Sequence, residues 1–291
     1  MDDDIEAHLE ALGLPAGDRH DLPASDGRFS DGSAFKLELL PEGFGEYREL
    51  FDLAADHGVT VNRVTDTGGT AFDSDERIRK KCAVCRDHGA ELLLAPGTGA
   101  RNDTSQQKAL GAMPGGGVRG MDAVVDAARE AERAADLGCR GFVLFDEGVY
   151  AVCRRLREAG DLPPETTFKV SSVHAVANPA SLAAWTDRLG PRDSLNPVRD
   201  LTLPMLAAMR AATNRPLDVH AYWREHVARP LDAPGIVRAA APVYLKNFRP
   251  DASLERRLLD SAALAREIGH AHSDLAQSSA GADDLGIPAA P

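Results

Sequence analysis

Eight short apolar runs recur along the chain, each followed by a stretch in which apolar residues return at helical spacing. The runs cover residues 35–40, 59–65, 91–95, 141–145, 167–173, 194–198, 217–221 and 243–247. Strands alternating with helices predict βαβ units and a parallel sheet, and eight units predict an α/β fold of the single (β/α)8 TIM-type barrel kind. In that architecture chemistry gathers at the C-terminal ends of the strands. Asp66, Asp146, Glu147, His174, His220, Lys246 and Asn247 stand there, so they are the first residues to weigh.

The pattern also sets the boundaries. Residues 1–33 form an acidic extension rich in Asp, Gly and Pro, expected to cover the N-terminal end of the barrel or to remain mobile. Residues 34–272 are the barrel, and 273–291, dominated by Ala, Ser, Asp, Gly and Pro, read as a flexible, disordered tail. Helix starts are well marked: Asp73 and Ser74 precede the helix near Asp75, and Asn178 with Pro179 opens another. The connection 96–120 is longer than compact domains usually carry and follows strand three. Its glycines with Arg101 and Arg119 predict a lid on the catalytic side. They do not match a phosphate-cradling spacing.

Composition narrows the classes. A chain of 291 residues with 43% hydrophobic content is enough for one barrel. A formal charge of −12 argues against nucleic acid or an anionic membrane surface as partner. No apolar run has membrane-span length, and the acidic start is unlike a signal peptide, so a cytoplasmic protein acting on a small molecule is expected. Four cysteines do not make a disulfide scaffold, and Cys82 with Cys85 falls inside a helical pattern as two ordinary helix cysteines. Tyr222 and Trp223 either wall the pocket or support contact with a second copy of the chain.

Charge inside predicted strands is the strongest chemical signal. Lys36, Lys169 and Lys246 lie in strands whose two faces are both covered, so each must be paired or line the cavity. Alternation puts Lys36 with Glu38 on one face, and Asp218 with His220 on one face. Three chemistries compete. A desolvated lysine, Lys246 above all, can form a Schiff base with a carbonyl substrate. Glu38, Asp146, His174 and His220 are candidate ligands for one divalent metal ion in a hydrolase or lyase. Asp146, His220, His174 and Lys169 can instead act as metal-free acids and bases. A barrel that binds a small molecule without catalysis is the reading from another class. Lys36 with Glu38 can also be a buried structural pair, Asp146 a helix cap, and Asp66 a turn residue.

Four segments resemble one family. In 141–150 a strand ends in Asp146 and Gly148 follows after one residue; 169–178 is a serine-bearing run holding Ser171 and ending at Asn178. Residues 199–203 begin with Arg199 and Asp200, and 216–221 form a further strand. Their order and spacing resemble the collagenase-like peptidase family of unassigned catalytic type (peptidase family U-thirty-two), over roughly residues 90–225. The resemblance implies Asp146, Ser171, Asn178 and Arg199 as matched site positions, with Asp66, Asn247, Arg101 and Arg119 beside them as substrate contacts from position alone. Members of that family use clustered cysteines for an iron–sulfur cluster. Here no cysteine follows Cys153, so no iron–sulfur cluster is expected at those positions.

Overall fold

The computed structural model describes residues 3–41, 43–97, 117–223, 232–249, 252–282 and 285–290. Within them eight parallel strands close into a barrel in sequence order. These are β1 (Phe35–Leu39), β2 (Arg63–Asp66), β3 (Glu91–Leu94), β4 (Gly141–Leu144), β5 (Thr167–Val170), β6 (Ser194–Leu195), β7 (Leu217–Trp223) and β8 (Val243–Phe248). After α1 (Asp3–Ala11) come α2 (Gly45–Asp56), α3 (Asp75–Asp87), α4 (Gly120–Asp136), α5 (Glu147–Ala159), α6 (Pro179–Thr186), α7 (Leu203–Ala211), α8 (Ala233–Ala240) and α9 (Leu254–Ala271), one behind each strand. The chain is therefore a (β/α)8 barrel. No helix among the described residues is long and apolar enough to cross a membrane.

Register fixes which side chains look inward. Glu38 is opposite both Arg63 and Lys246, and Arg63 is opposite Glu91. Lys169 is opposite Val143 and Ser194, while His220 is opposite Lys246. Alternate residues point the other way. Leu37, Leu39, Val64, Leu92, Phe142, Phe168, Val170, Leu217, Val219 and Leu245 join the apolar shell between sheet and helices. In α4 that shell receives Ala127, Ala131, Ala134 and Ala135, an alanine stripe at helical spacing that lets the helix approach closely. Gly97 shows how close: a Cβ there would lie 3.0 Å from the Ala127 Cβ.

Three strands are clearly shorter than the apolar runs predict, β6 among them with only Ser194 and Leu195. Residues 59–62 lie before β2, at the level where Gln277 donates to the Thr60 carbonyl (2.9 Å). β5 stops at Val170 because residues 172–174 form a single 3-10 turn toward α6.

The C-terminal stretch corrects the sequence expectation. Residues 273–282 and 285–290 are not a disordered tail but line the N-terminal rim of the barrel. The Ala34 amide donates to the Ala276 carbonyl (2.8 Å), Ser278 to Phe35 (3.0 Å), Leu92 to Gly286 (3.0 Å) and Ala289 to Gly138 (2.9 Å). Backbone groups at that rim need partners, and a tail without strand or helix periodicity supplies them. The N-terminal extension closes the same end. Phe29 meets the Tyr244 ring edge-on at 5.1 Å and lies 4.8 Å from the Lys36 ammonium, and Ser278 donates to Asp31 (2.6 Å).

Candidate active site

The barrel interior is charged rather than apolar, except at Leu93, Ala95 and Val143. At its lower level Glu91 accepts from Lys36 (2.7 Å), from Arg63 Nε (2.6 Å) and from the Tyr244 hydroxyl (3.0 Å). The Arg63 guanidinium lies 3.2 Å from the Tyr244 ring centroid and donates to Asp218 (3.0 Å). One step higher, Lys169 donates to both oxygens of Glu38 (2.5 and 2.7 Å) and lies 2.8 Å from Asp218. Charges removed from water this completely persist only when paired.

Lys246 breaks the pattern. Among the described residues four buried cations, Lys36, Arg63, Lys169 and Lys246, face three buried carboxylates, Glu38, Glu91 and Asp218, in the barrel interior. One positive charge is therefore in excess. Its place follows from distance: Lys246 is 3.8 Å from Glu38, whereas Lys36, Arg63 and Lys169 each have a carboxylate within 2.7 Å. Burial, then the Lys169 charge, lowers the Lys246 ammonium to about 7. Burial also raises Glu38 above the ordinary carboxylate range, against the pull of Lys169. Asp218, which burial alone would raise, is held low by Lys169 and Arg63. With Lys246 as a free amine the interior balances at three against three.

His220 stands beside Lys246 in register. Burial, then the charges of Lys246, Lys169 and Arg199, hold its imidazole neutral, well below the ordinary range. The Asn196 amide nitrogen donates to the Asp218 carbonyl (2.6 Å) and the Pro197 carbonyl (3.3 Å), and His220 Nδ1 lies 3.3 Å from the same nitrogen. His220 is thus a neutral imidazole in this state, with one ring N–H to donate. Ser171 is buried one inward step above Lys169, and half-buried Arg199 follows β6.

Other sequence candidates are placed elsewhere. Asp66 points outward, accepting from Tyr47 (2.8 Å), Lys81 (2.6 Å) and the Gly68 amide (2.8 Å). Asn247 also points outward, donating to the Arg257 carbonyl (2.7 Å) and Ser261 (3.1 Å). Asp146 caps α5 through the Val149 amide (2.9 Å) and accepts from the Val118 amide (3.2 Å). Asn178 caps α6 in a reciprocal box with Ser181. Arg119 is exposed and donates to the Gly117 carbonyl (2.8 Å). His174 meets Trp185 edge-on at 5.0 Å, and burial lowers its pKa. Arg101 lies outside the described residues.

The four expected metal ligands are therefore not gathered. Glu38 is held by Lys169, Asp146 by a helix start, His174 by an aromatic contact and His220 by Asn196. No cluster of three or more metal-ligating side chains occurs among the described residues. Cys82 and Cys85 are buried free thiols, and burial raises Cys85 far above its ordinary value. Sequence reading missed Arg63, Glu91, Asn196 and Tyr244, although the first two share the inward parity of Thr65 and Leu93.

No family model matches the chain, and neither does any curated protein. Solved structures do match in shape. KDPGal in its native form aligns with TM-score 0.51 at 13% identity, over 82% of this chain and 96% of that one. A candidate deoxyribose-phosphate aldolase from Coccidioides immitis aligns with TM-score 0.50 at 11% identity, over 90% and 96%. Delta-aminolevulinic acid dehydratase from Toxoplasma gondii ME49, bound to porphobilinogen, aligns with TM-score 0.50 at 10% identity, over 82% and 86%. At these identities the likeness is one of fold.

Proposed function

We propose that this chain is a TIM-barrel lyase that forms a Schiff base between Lys246 and a small carbonyl compound carrying negative charge. The observation that carries this reading is the surplus cation: among the four buried cations of the described barrel interior Lys246 is the farthest from a carboxylate, in a cavity that favours its free amine near neutral pH. The amine adds to the carbonyl carbon and its proton passes to the oxygen; a second proton, taken from solvent, lets that hydroxyl depart as water and leaves an iminium. The iminium then draws electrons from the adjacent carbon–carbon bond. As that bond breaks, the β-hydroxyl proton leaves to water, an aldehyde departs and the electron pair is held as an enamine. Lys169 acts through Lys246 as a positioning residue, keeping it deprotonated while remaining bonded to Glu38 and Asp218. The His220 N–H and Arg199 supply positive polarity for oxygen and anionic groups of the substrate. One barrel named as an aldolase and one named as a dehydratase supply precedent for the fold; Lys246 carries the proposed chemistry.

Kinship with the collagenase-like peptidases stays part of the proposal as ancestry. Two of its four matched positions, Asp146 and Asn178, cap helices in this chain. The test is reductive trapping. Pyruvate, glycolaldehyde and dihydroxyacetone are each added with borohydride to folded protein, and the product is mapped by mass spectrometry. A carbonyl-dependent mass gain on Lys246, absent from Lys246→Arg, supports the lyase. A barrel that merely sequesters its ligand binds these compounds without any adduct at Lys246.

A further inference from the structure

We infer that the opposite, N-terminal face of the barrel carries a second binding site, for a small oxyanion of the phosphate or carboxylate type. A cavity of about 490 Å³ lies between residues 19–28 of the N-terminal segment and the ends of α7 and α8. Arg210, in the last turn of α7, lines it together with Arg28, Arg19, Ser25 and Asn214. Three other largely buried guanidiniums in the described fold each lie against a carboxylate. Arg63 has Glu91, Arg157 has Asp193 (2.7 Å) and Arg257 has Glu46 (2.9 Å). Arg210 has carbonyls only, those of Ala241 (3.4 Å) and Arg215, and its Nε is buried without a partner. Burial accordingly lowers its pKa to about 10, with no carboxylate acting against it.

The C-terminal end of α7 and those carbonyls offset part of the charge. A guanidinium left without a counter-ion beside an open cavity still favours an anion there. Arg28 adds a second cation whose described bonds go to the carbonyls of Ser25 (3.1 Å) and Gly27 (2.8 Å). Arg19 is already engaged with Asp21 (3.1 Å). Asp26, the acidic residue on the lining, is exposed. A pocket of this size admits a molecule larger than a lone phosphate. The site lies at the barrel end away from Lys246, so occupancy ties the N-terminal segment to α7 and α8 without touching the reacting atoms.

Calorimetric titration with inorganic pyrophosphate and with citrate, at ionic strength held constant with chloride, tests the site. Saturable binding of either probe is expected, and which one binds separates a phosphate ligand from a carboxylate. Arg210→Gln should weaken it at least tenfold. Ala211→Glu, a change at an exposed rim position that leaves the core intact, should do the same by supplying the missing carboxylate. Lys246→Arg should leave it unchanged. The inference is overturned if neither probe binds, if binding survives Ala211→Glu, or if it is lost instead with Lys246→Arg.

Discussion

The lower and upper levels of the barrel interior hold the same kinds of side chain and treat them oppositely. Below, Glu91 gathers Lys36, Arg63 and Tyr244 within 2.6–3.1 Å, and Phe29 seals the end. Above, Lys246 is 3.8 Å from Glu38, with Lys169 as a repelling neighbour. The contrast teaches that buried charge alone does not mark a reactive site. Full pairing marks structure; the cation left over at the mouth is where the proposed lyase chemistry would begin.

Four changes break or sharpen that comparison. Lys246→Arg keeps a positive charge but removes a titratable amine, and should lower turnover of any trapped carbonyl compound by at least about 10³-fold, while circular dichroism stays unchanged. Arg63→Met strikes the lower level, leaving Glu91 and Asp218 short of a cation; urea unfolding should show a loss of about 3–5 kcal/mol. If that variant is instead as stable as the parent, the lower cluster is not structural. The pH dependence is gentler. Since the ammonium is unreactive and titrates at about 7, trapping should fall about tenfold per pH unit below that point and level off above it. Lys169→Met removes a like charge, so the midpoint should move up rather than down. The smallest effect belongs to Asp146→Ala, which deletes a helix cap and should cost about 1 kcal/mol with trapping unaltered; a collapse of trapping would restore Asp146 as a catalytic acid.

The barrel was legible because strands covered on both faces must be apolar on the outward face, and eight such runs leave few alternatives. The inward lysines were legible too, since a charge in such a strand has nowhere else to go. Strand-end residues were harder. Asp66 and Asn247 each stand one residue past an inward position, Thr65 and Lys246, and the pleat turns them toward helices instead of the mouth. Asp146 and Asn178 were ambiguous for another reason: a polar residue before a helix serves as a cap as readily as a catalyst. The rim-lining C-terminal stretch was invisible because most of the bonds that seat it on the strand starts are made by backbone, which every sequence possesses.

The most direct test of the surplus cation is a titration of Lys246 itself. Reductive methylation with ¹³C-formaldehyde labels the lysines, and the methyl shifts are followed against pH by NMR. One resonance titrating near pH 7, missing from Lys246→Arg, is the predicted result. Assignment of Lys246 to a resonance that titrates near 10 with the surface lysines would contradict it.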